Sequence, residues 1–342
     1  MTTPNLGGLL FQHPAYVAAS SRVDDVVRRT LEGEQIILPL CGPSRVGKTF
    51  ATLPAQQRFP RRQEGSRRIV PWLYIKMSQA PSLSSLPRGI LNAVGMNAWA
   101  RKGSPEVLTG LARDAVHRLG VIFLVIDEFH HYAEAGARAS ALDAANAVKN
   151  FVDETGLSCI FTGLPTMRSL FEGDDQLESR AHAAHHFLPY IWVLKRQRQE
   201  FEEVLGSIVA HLRGLGFHVD LPEAFLLRIY ISTAGRIGLV VKLINEACDL
   251  ARQTMRIDPH VLSTAHAQAL RSETDGLNPF RISVSDADAV AAFARVMLKS
   301  GYPSEFMAET VRQQGGSNED AARFINKEQE RATKKAKGNY GC

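Results

Sequence analysis

Two textures divide the chain. Up to about residue 195, short apolar runs alternate with amphipathic stretches; beyond it, almost every segment repeats its apolar residues at helical spacing. Five runs read as strands: EQIILPLCG (34–42), RIVPWLYIKM (68–77), GVIFLVIDEFHHY (120–132), LSCIFTGLP (157–165) and HHFLPYIWVL (185–194). Six apolar residues in a row precede Asp127, the pattern of a parallel strand buried on both faces. Stretches 104–118 and 138–154 have helical periodicity, with a start signal at Ser104-Pro105. Strands alternating with helices predict an α/β fold, a three-layer αβα sandwich around a parallel five-stranded sheet. After it come RQEFEEVLGSIVAHLRGLG, LPEAFLLRIYISTAG, RIGLVVKLINEACDLARQ and HVLSTAHAQALRS, which predict a small all-helical domain. SVSDADAVAAFARVMLK adds a further helix, and NKEQERATKKAKGNYGC is a polar tail, disordered or helical. The expected organisation is an N-terminal segment packing on the core (1–33), the α/β domain (34–195), the helical domain (196–280), and a C-terminal extension and tail (281–342).

The first strand runs into CGPSRVGKTF (41–50), where a glycine, four residues and Gly-Lys-Thr lie between a strand and a helix start. That is the setting of a phosphate-binding loop. Gly42 and Gly47 free the backbone to aim amides at phosphate oxygens, with Pro43, Ser44, Arg45, Val46 and Phe50 completing the segment. Lys48 is placed to reach the β- and γ-phosphates, and the Thr49 hydroxyl to ligate Mg²⁺. Two prolines fit less simply: Pro39 removes a ladder donor from the strand, and Pro54 shortens or kinks the helix. Asp127 and Glu128 stand at the end of a second strand, at the carboxyl edge where ligands of such sheets bind. Asp127 is the candidate Mg²⁺ holder and Glu128 the general base for an attacking water. Thr162, at the end of the fourth strand, either orients that water near Glu128 or is a buried threonine bonded to backbone. The expected cofactors are therefore ATP and Mg²⁺.

Composition changes this picture little. The 342 residues are 45% hydrophobic, enough for one large domain or two smaller ones. A net charge of +5 permits a nucleic-acid partner without demanding one. The four cysteines, Cys41, Cys159, Cys248 and Cys342, form no closely spaced pair and read as reduced thiols of a cytoplasmic protein. No secretory leader or membrane span is legible.

A helical domain after a nucleotide domain resembles the order of AAA+ ATPases, with the helical part as lid. Arg236, in TAGRIG, then begins the third lid helix, as a residue that could reach the γ-phosphate. Arg180, in QLESR, stands where such proteins carry an arginine that enters a neighbour's site. GPSRVGKT, IDEFHH, FTGLP, QLESR, TAGRIG and NPF, with 77–115, resemble the transposon-encoded AAA+ regulators of the TnsC/TniB type, in order from about His13 to Phe280. The resemblance implies ATP-dependent rings or filaments on double-stranded DNA. These link a target-selecting adaptor of the TniQ type, in some systems part of a CRISPR RNA-guided complex, to a DDE transposase. It also implies that hydrolysis permits release. By the same analogy Arg101 and Lys102 are the candidate DNA contacts, ahead of the basic stretch FPRRQEGSRR (59–68). The alternatives are an initiator, loader or secretion ATPase on the same fold, and a nucleotide-binding scaffold that does not hydrolyse. Glu128 argues against the last. Among the histidines, His130 and His131 are placed to sense or brace Glu128; the spacing of His182 and His186 would suit two zinc ligands on one helical turn, but no cysteine is adjacent to complete such a site.

Overall fold

The computed structural model describes residues 13–79, 81–97, 102–134, 139–170 and 182–325. Arg101, Arg180 and the polar tail lie outside them. The chain divides into two compact units, one of Pro14–Phe187 and one that includes everything from Leu188.

In the first unit, α1 (Pro14–Leu31) leads to β1 (Ile37–Cys41), then α2 (Lys48–Ala51) and α3 (Leu53–Arg58). A hairpin of β2 (Arg62–Glu64) and β3 (Arg67–Ile69) follows. Next come β4 (Trp72–Lys76), α4 (Ser85–Ala93), α5 (Pro105–Arg118), β5 (Phe123–Asp127), α6 (His131–Glu134), α7 (Ala139–Thr155), β6 (Ser158–Gly163) and β7 (His185–His186). The sheet order is β4-β5-β6-β1-β7, and every pairing is parallel. Strand β6 thus lies between the loop-bearing strand β1 and the carboxylate strand β5. The expected three layers are present. One face of the sheet, with Leu73, Ile75, Leu124, Ile126, Cys159 and Phe161, packs against α4, α5 and α7. The other, with Leu38, Trp72, Phe123, Val125 and Ile160, packs against Val23, Val26 and Val27 of α1 and Ala55 of α3. Alternation on each strand, with both faces covered, explains the near-continuous apolar runs.

Both prolines have a structural resolution. Ile37 and Cys41 carbonyls accept from His182 and Phe187 amides, whereas the Ile36 carbonyl accepts from Cys159. Odd-numbered residues of β1 therefore turn their backbone groups towards the β7 side. Pro39 is among them, below the point where β7 starts to pair, at Leu40 with His185. Pro54 splits the helix at Thr52 and sits in the first turn of α3, where its missing N–H costs nothing.

Three sequence expectations meet a different arrangement. The run 185–194 gives a strand of only two residues. Pro189 has no donor, and the amides of Tyr190, Ile191 and Trp192 go to Gly235 O, Gln197 Oε1 and Tyr230 Oη of the second unit. The two compact units divide just before Pro189, between Phe187 and Leu188. His182 and His186 do not share a helical turn, because His186 is in β7 and His182 precedes it. The basic stretch 59–68 is a staple rather than an open loop: Arg61 and Arg68 donate to Ala93 O and Val94 O at the end of α4, and Arg67 donates to Arg118 O at the end of α5. Cations at helix C-termini satisfy orphan carbonyls and oppose the helix dipole.

The second unit contains α8 (Lys195–Gly214), α9 (Phe225–Thr233), α10 (Ile237–Leu250), α11 (Pro259–Ala269), α12 (Asp286–Lys299) and α13 (Ser304–Gln313). It is not purely helical. A short parallel pair, β8 (His218–Val219) and β9 (Arg256–Ile257), joins the ends of α8 and α10. Nor does packing stop at residue 280. Helix α12, opened by a capping box of Ser285 and Asp288, gives Ala289, Ala292 and Val296 to the core of α8–α11. Its other side, with Val290, Phe293 and Met297, buries Ile191, Leu194, Met307, Val311 and Phe324 in a second cluster. Phe293→Ala should cost about 3–5 kcal/mol of stability, read by urea unfolding of the second unit's transition. A loss below about 1 kcal/mol would show that α12 is an appendage.

Candidate nucleotide site

The loop after β1 is held at both ends. Gly42 donates its amide to Gly163 O, 3.0 Å away, and a Cβ on Gly42 would stand 2.3 Å from Phe187 O, so no side chain fits there. The buried Val46 anchors the middle of the loop in a cluster with Tyr16, Ala19, Leu40, Ala51 and Phe187. Between these points Arg45 (φ 66°) and Gly47 (φ 114°) adopt left-handed conformations. Such reversals turn successive amides to one side and make an anion-binding concavity. Ser44, Arg45 and Phe50 are exposed, and Pro43 is buried.

Lys48 is 8% exposed and donates to Gly42 O and Pro43 O at 2.7 and 2.8 Å. Burial pulls its pKa down to about 8, against the carboxylates of Glu128 and Asp127, which favour the cation. A buried cation beneath a concave ring of amides fits a polyphosphate.

Asp127 is the most heavily bonded side chain here. Thr49 Oγ1 donates to its Oδ2 at 3.1 Å and Tyr74 Oη to the same oxygen at 2.6 Å. Thr162 Oγ1 and the Glu128 amide donate to Oδ1, the latter at 3.0 Å. Burial alone would raise the Asp127 pKa, but these donors outweigh it and hold the carboxyl below its ordinary value. Thr49 and Asp127, already in contact, are a hydroxyl and a carboxylate of the kind that hold Mg²⁺ beside phosphates.

Thr162 therefore has a place that neither sequence reading named: it is buried, and it braces Asp127 rather than facing Glu128 or the backbone. Tyr74 was not anticipated. It lies on β4 opposite Val125, so it shares the sheet face of Asp127, but only the β4–β5 register reveals this. Burial first, then the bond to Asp127, raises its pKa and keeps the phenol a donor.

The Glu128 side chain is 30% exposed, and its backbone is left-handed at φ 59°. Its Oε2 lies 3.3 Å from Nδ1 of the buried His130. Glu128, His130 and His131 bring one ligand-type atom each within 4.8 Å of one another, and no other group of three or more such residues occurs among the described residues. In the second unit, Arg236 caps the start of α10 and is 4% exposed. It donates to Thr233 O at 2.9 Å and pairs with Glu273 at 2.8 Å. Lys102 is exposed, just before Ser104 caps α5. Among the described residues no helix is long and apolar enough to cross a membrane.

With β6 inserted between the loop strand and the carboxylate strand, and a helical unit following, the fold and site define an AAA+ ATPase. Solved structures of the same fold include the Aeropyrum pernix ORC1 protein in complex with DNA (TM-score 0.54, 14% identity, 95% of this chain and 84% of that one). Another is Cdc6p from Pyrobaculum aerophilum (TM-score 0.51, 12% identity, 94% and 96%). A chaperone protein ClpB 2 of Synechocystis sp. is 24% identical over 267 residues, 77% of this chain and 30% of its own length. The chain thus spans less than a third of that curated relative. A family profile described as Bacterial TniB protein matches residues 10–189, more than half of the chain. The chain belongs to the TniB family.

Because the folded pKa of Asp127 is depressed, its stabilisation is complete above the ordinary value of 3.8 and is lost as pH falls through the folded value. Tyr74→Phe removes one donor and should move the Asp127 pKa upward in a carboxyl-carbon NMR titration. An unchanged pKa would mean that the phenol contributes nothing to holding the carboxylate.

Proposed function

We propose that this chain is an ATP-dependent regulator of DNA transposition, which assembles on double-stranded DNA when ATP is bound and lets go after hydrolysis. The observation that carries the reading is the contact of Thr49 with Asp127 beside the buried Lys48, in a chain of the TniB family. The AAA+ fold and the resemblance at IDEFHH, FTGLP and TAGRIG support it.

In this reading the amides of 42–49 and the Lys48 ammonium hold the β- and γ-phosphates, and Thr49 and Asp127 hold Mg²⁺. Bound there, Mg²⁺ neutralises charge on the β- and γ-oxygens. Glu128 accepts a proton from water as the water oxygen bonds to the γ-phosphorus, and the bond from that phosphorus to the ADP oxygen breaks. Its partly exposed carboxylate can meet water, whereas Asp127 is buried against Thr49, Tyr74 and Thr162. Arg180 is the proposed residue offered to a neighbouring copy. Arg101 and Lys102 are the proposed contacts to DNA phosphates. A DDE transposase and a TniQ-type adaptor, with or without a CRISPR complex, are the proposed partners.

Lys48→Ala should abolish nucleotide binding measured with a fluorescent ATP analogue. Glu128→Gln should bind that analogue normally but release phosphate about 10²–10⁴-fold more slowly. A Glu128→Gln protein that turns over at the parent rate would remove Glu128 from the mechanism.

A further inference from the structure

Glu128 needs something to aim it. A general base must present one oxygen to the water at hydrogen-bond distance, and a partly exposed glutamate on free rotors does so only part of the time. The backbone beneath it is fixed. The Phe129 amide donates to Thr162 O at 2.9 Å, His131 N to Glu128 O at 3.2 Å, and Ala133 N to His130 O at 2.9 Å. Phe129 and Tyr132 are fully buried, with ring centroids 5.2 Å apart. Glu128 itself is held in the left-handed region, which a glutamate seldom adopts unaided.

Two imidazoles lie by the Glu128 carboxylate, and the buried one is His130, 5% exposed, whose Nδ1 stands 3.3 Å from Oε2 at ion-pair distance but without hydrogen-bond geometry. Its position is set from the neighbouring strand. A Cβ on Gly163, the last residue of β6, would lie 3.1 Å from both the amide nitrogen and Nδ1 of His130, and 3.0 Å from the Met167 sulfur. The imidazole therefore occupies the space that a side chain at 163 would take. One residue earlier, Thr162 grips Asp127 through its hydroxyl and Phe129 through its carbonyl. The end of β6 thus touches the cation-holding carboxylate on one side and the histidine behind the base on the other.

We propose that His130 is the positioning residue for Glu128: its buried ring backs Oε2 at the Nδ1 edge, leaving Oε1 for the water, and Gly163 is side-chainless to admit the ring. This rests on the reading of Glu128 as the general base.

The test compares His130→Asn, whose amide nitrogen can approach the place of Nδ1, with His130→Leu, which fills the space without a donor. Each is measured for thermal midpoint, affinity for a fluorescent ATP analogue, kcat and KM. The leucine variant should lose about 10- to 100-fold in kcat at unchanged analogue affinity. The asparagine variant should recover much of that loss. In the Glu128→Gln background, His130→Leu should have no further effect, because both changes remove one function. Equal kcat in the leucine variant and the parent, or a rise, would overturn the proposal. So would failure of both variants to fold, which would make His130 a packing residue. Parent-like turnover by Glu128→Gln alone would instead overturn the reading of the base.

Discussion

The carboxylate of Asp127 is where the nucleotide unit is tied together. Four donors meet on it from four places in the sequence: Thr49 after the loop, Tyr74 on β4, Thr162 on β6, and the amide of Glu128. A buried anion is costly without such partners, and with them it is a rigid point. It aligns the ends of three adjacent strands and fixes where a cation beside the phosphates would have to sit. The order of the sheet makes this possible, since β6 between β1 and β5 brings Thr162 and Gly163 between the loop and the acidic pair.

The same economy governs the boundary between the units. The amides of 190–192, which would have extended β7, are taken by Gly235, Gln197 and Tyr230. Gly235 has to be glycine for this, because a Cβ there would stand 2.5 Å from Tyr190 O and its φ is 72°. The TAGRIG turn is thus a structural joint of the second unit as well as the start of the helix that carries Arg236. That arginine is already neutralised by Glu273, as buried charges in folded proteins usually are.

Much of this was legible in the chain. Continuous apolar runs marked the buried parallel strands, and the loop and the Asp127–Glu128 pair stood at strand ends, where period and motif agree. Ser104-Pro105 announced α5, and it caps as expected. What stayed hidden depended on register or on competition for backbone groups. Tyr74 looks like any strand aromatic until β4 is paired with β5. The arginines of 61–68 look like a basic patch until the carbonyls at the ends of α4 and α5 are brought to them. The helix at 286–299 was readable, but its two apolar sides gave no sign of which segments would cover them. Thr162 was marked as a site residue, yet its partner was two strands of reasoning away.

In the proposed function, the nucleotide held at the end of β5 controls assembly on DNA. The most direct measurement is electron microscopy of the purified protein on linear duplex DNA, with a non-hydrolysable ATP analogue in one sample and ADP in the other. The account predicts rings or filaments around the duplex with the analogue and none with ADP. Equal assembly in both samples, or none in either, would contradict it.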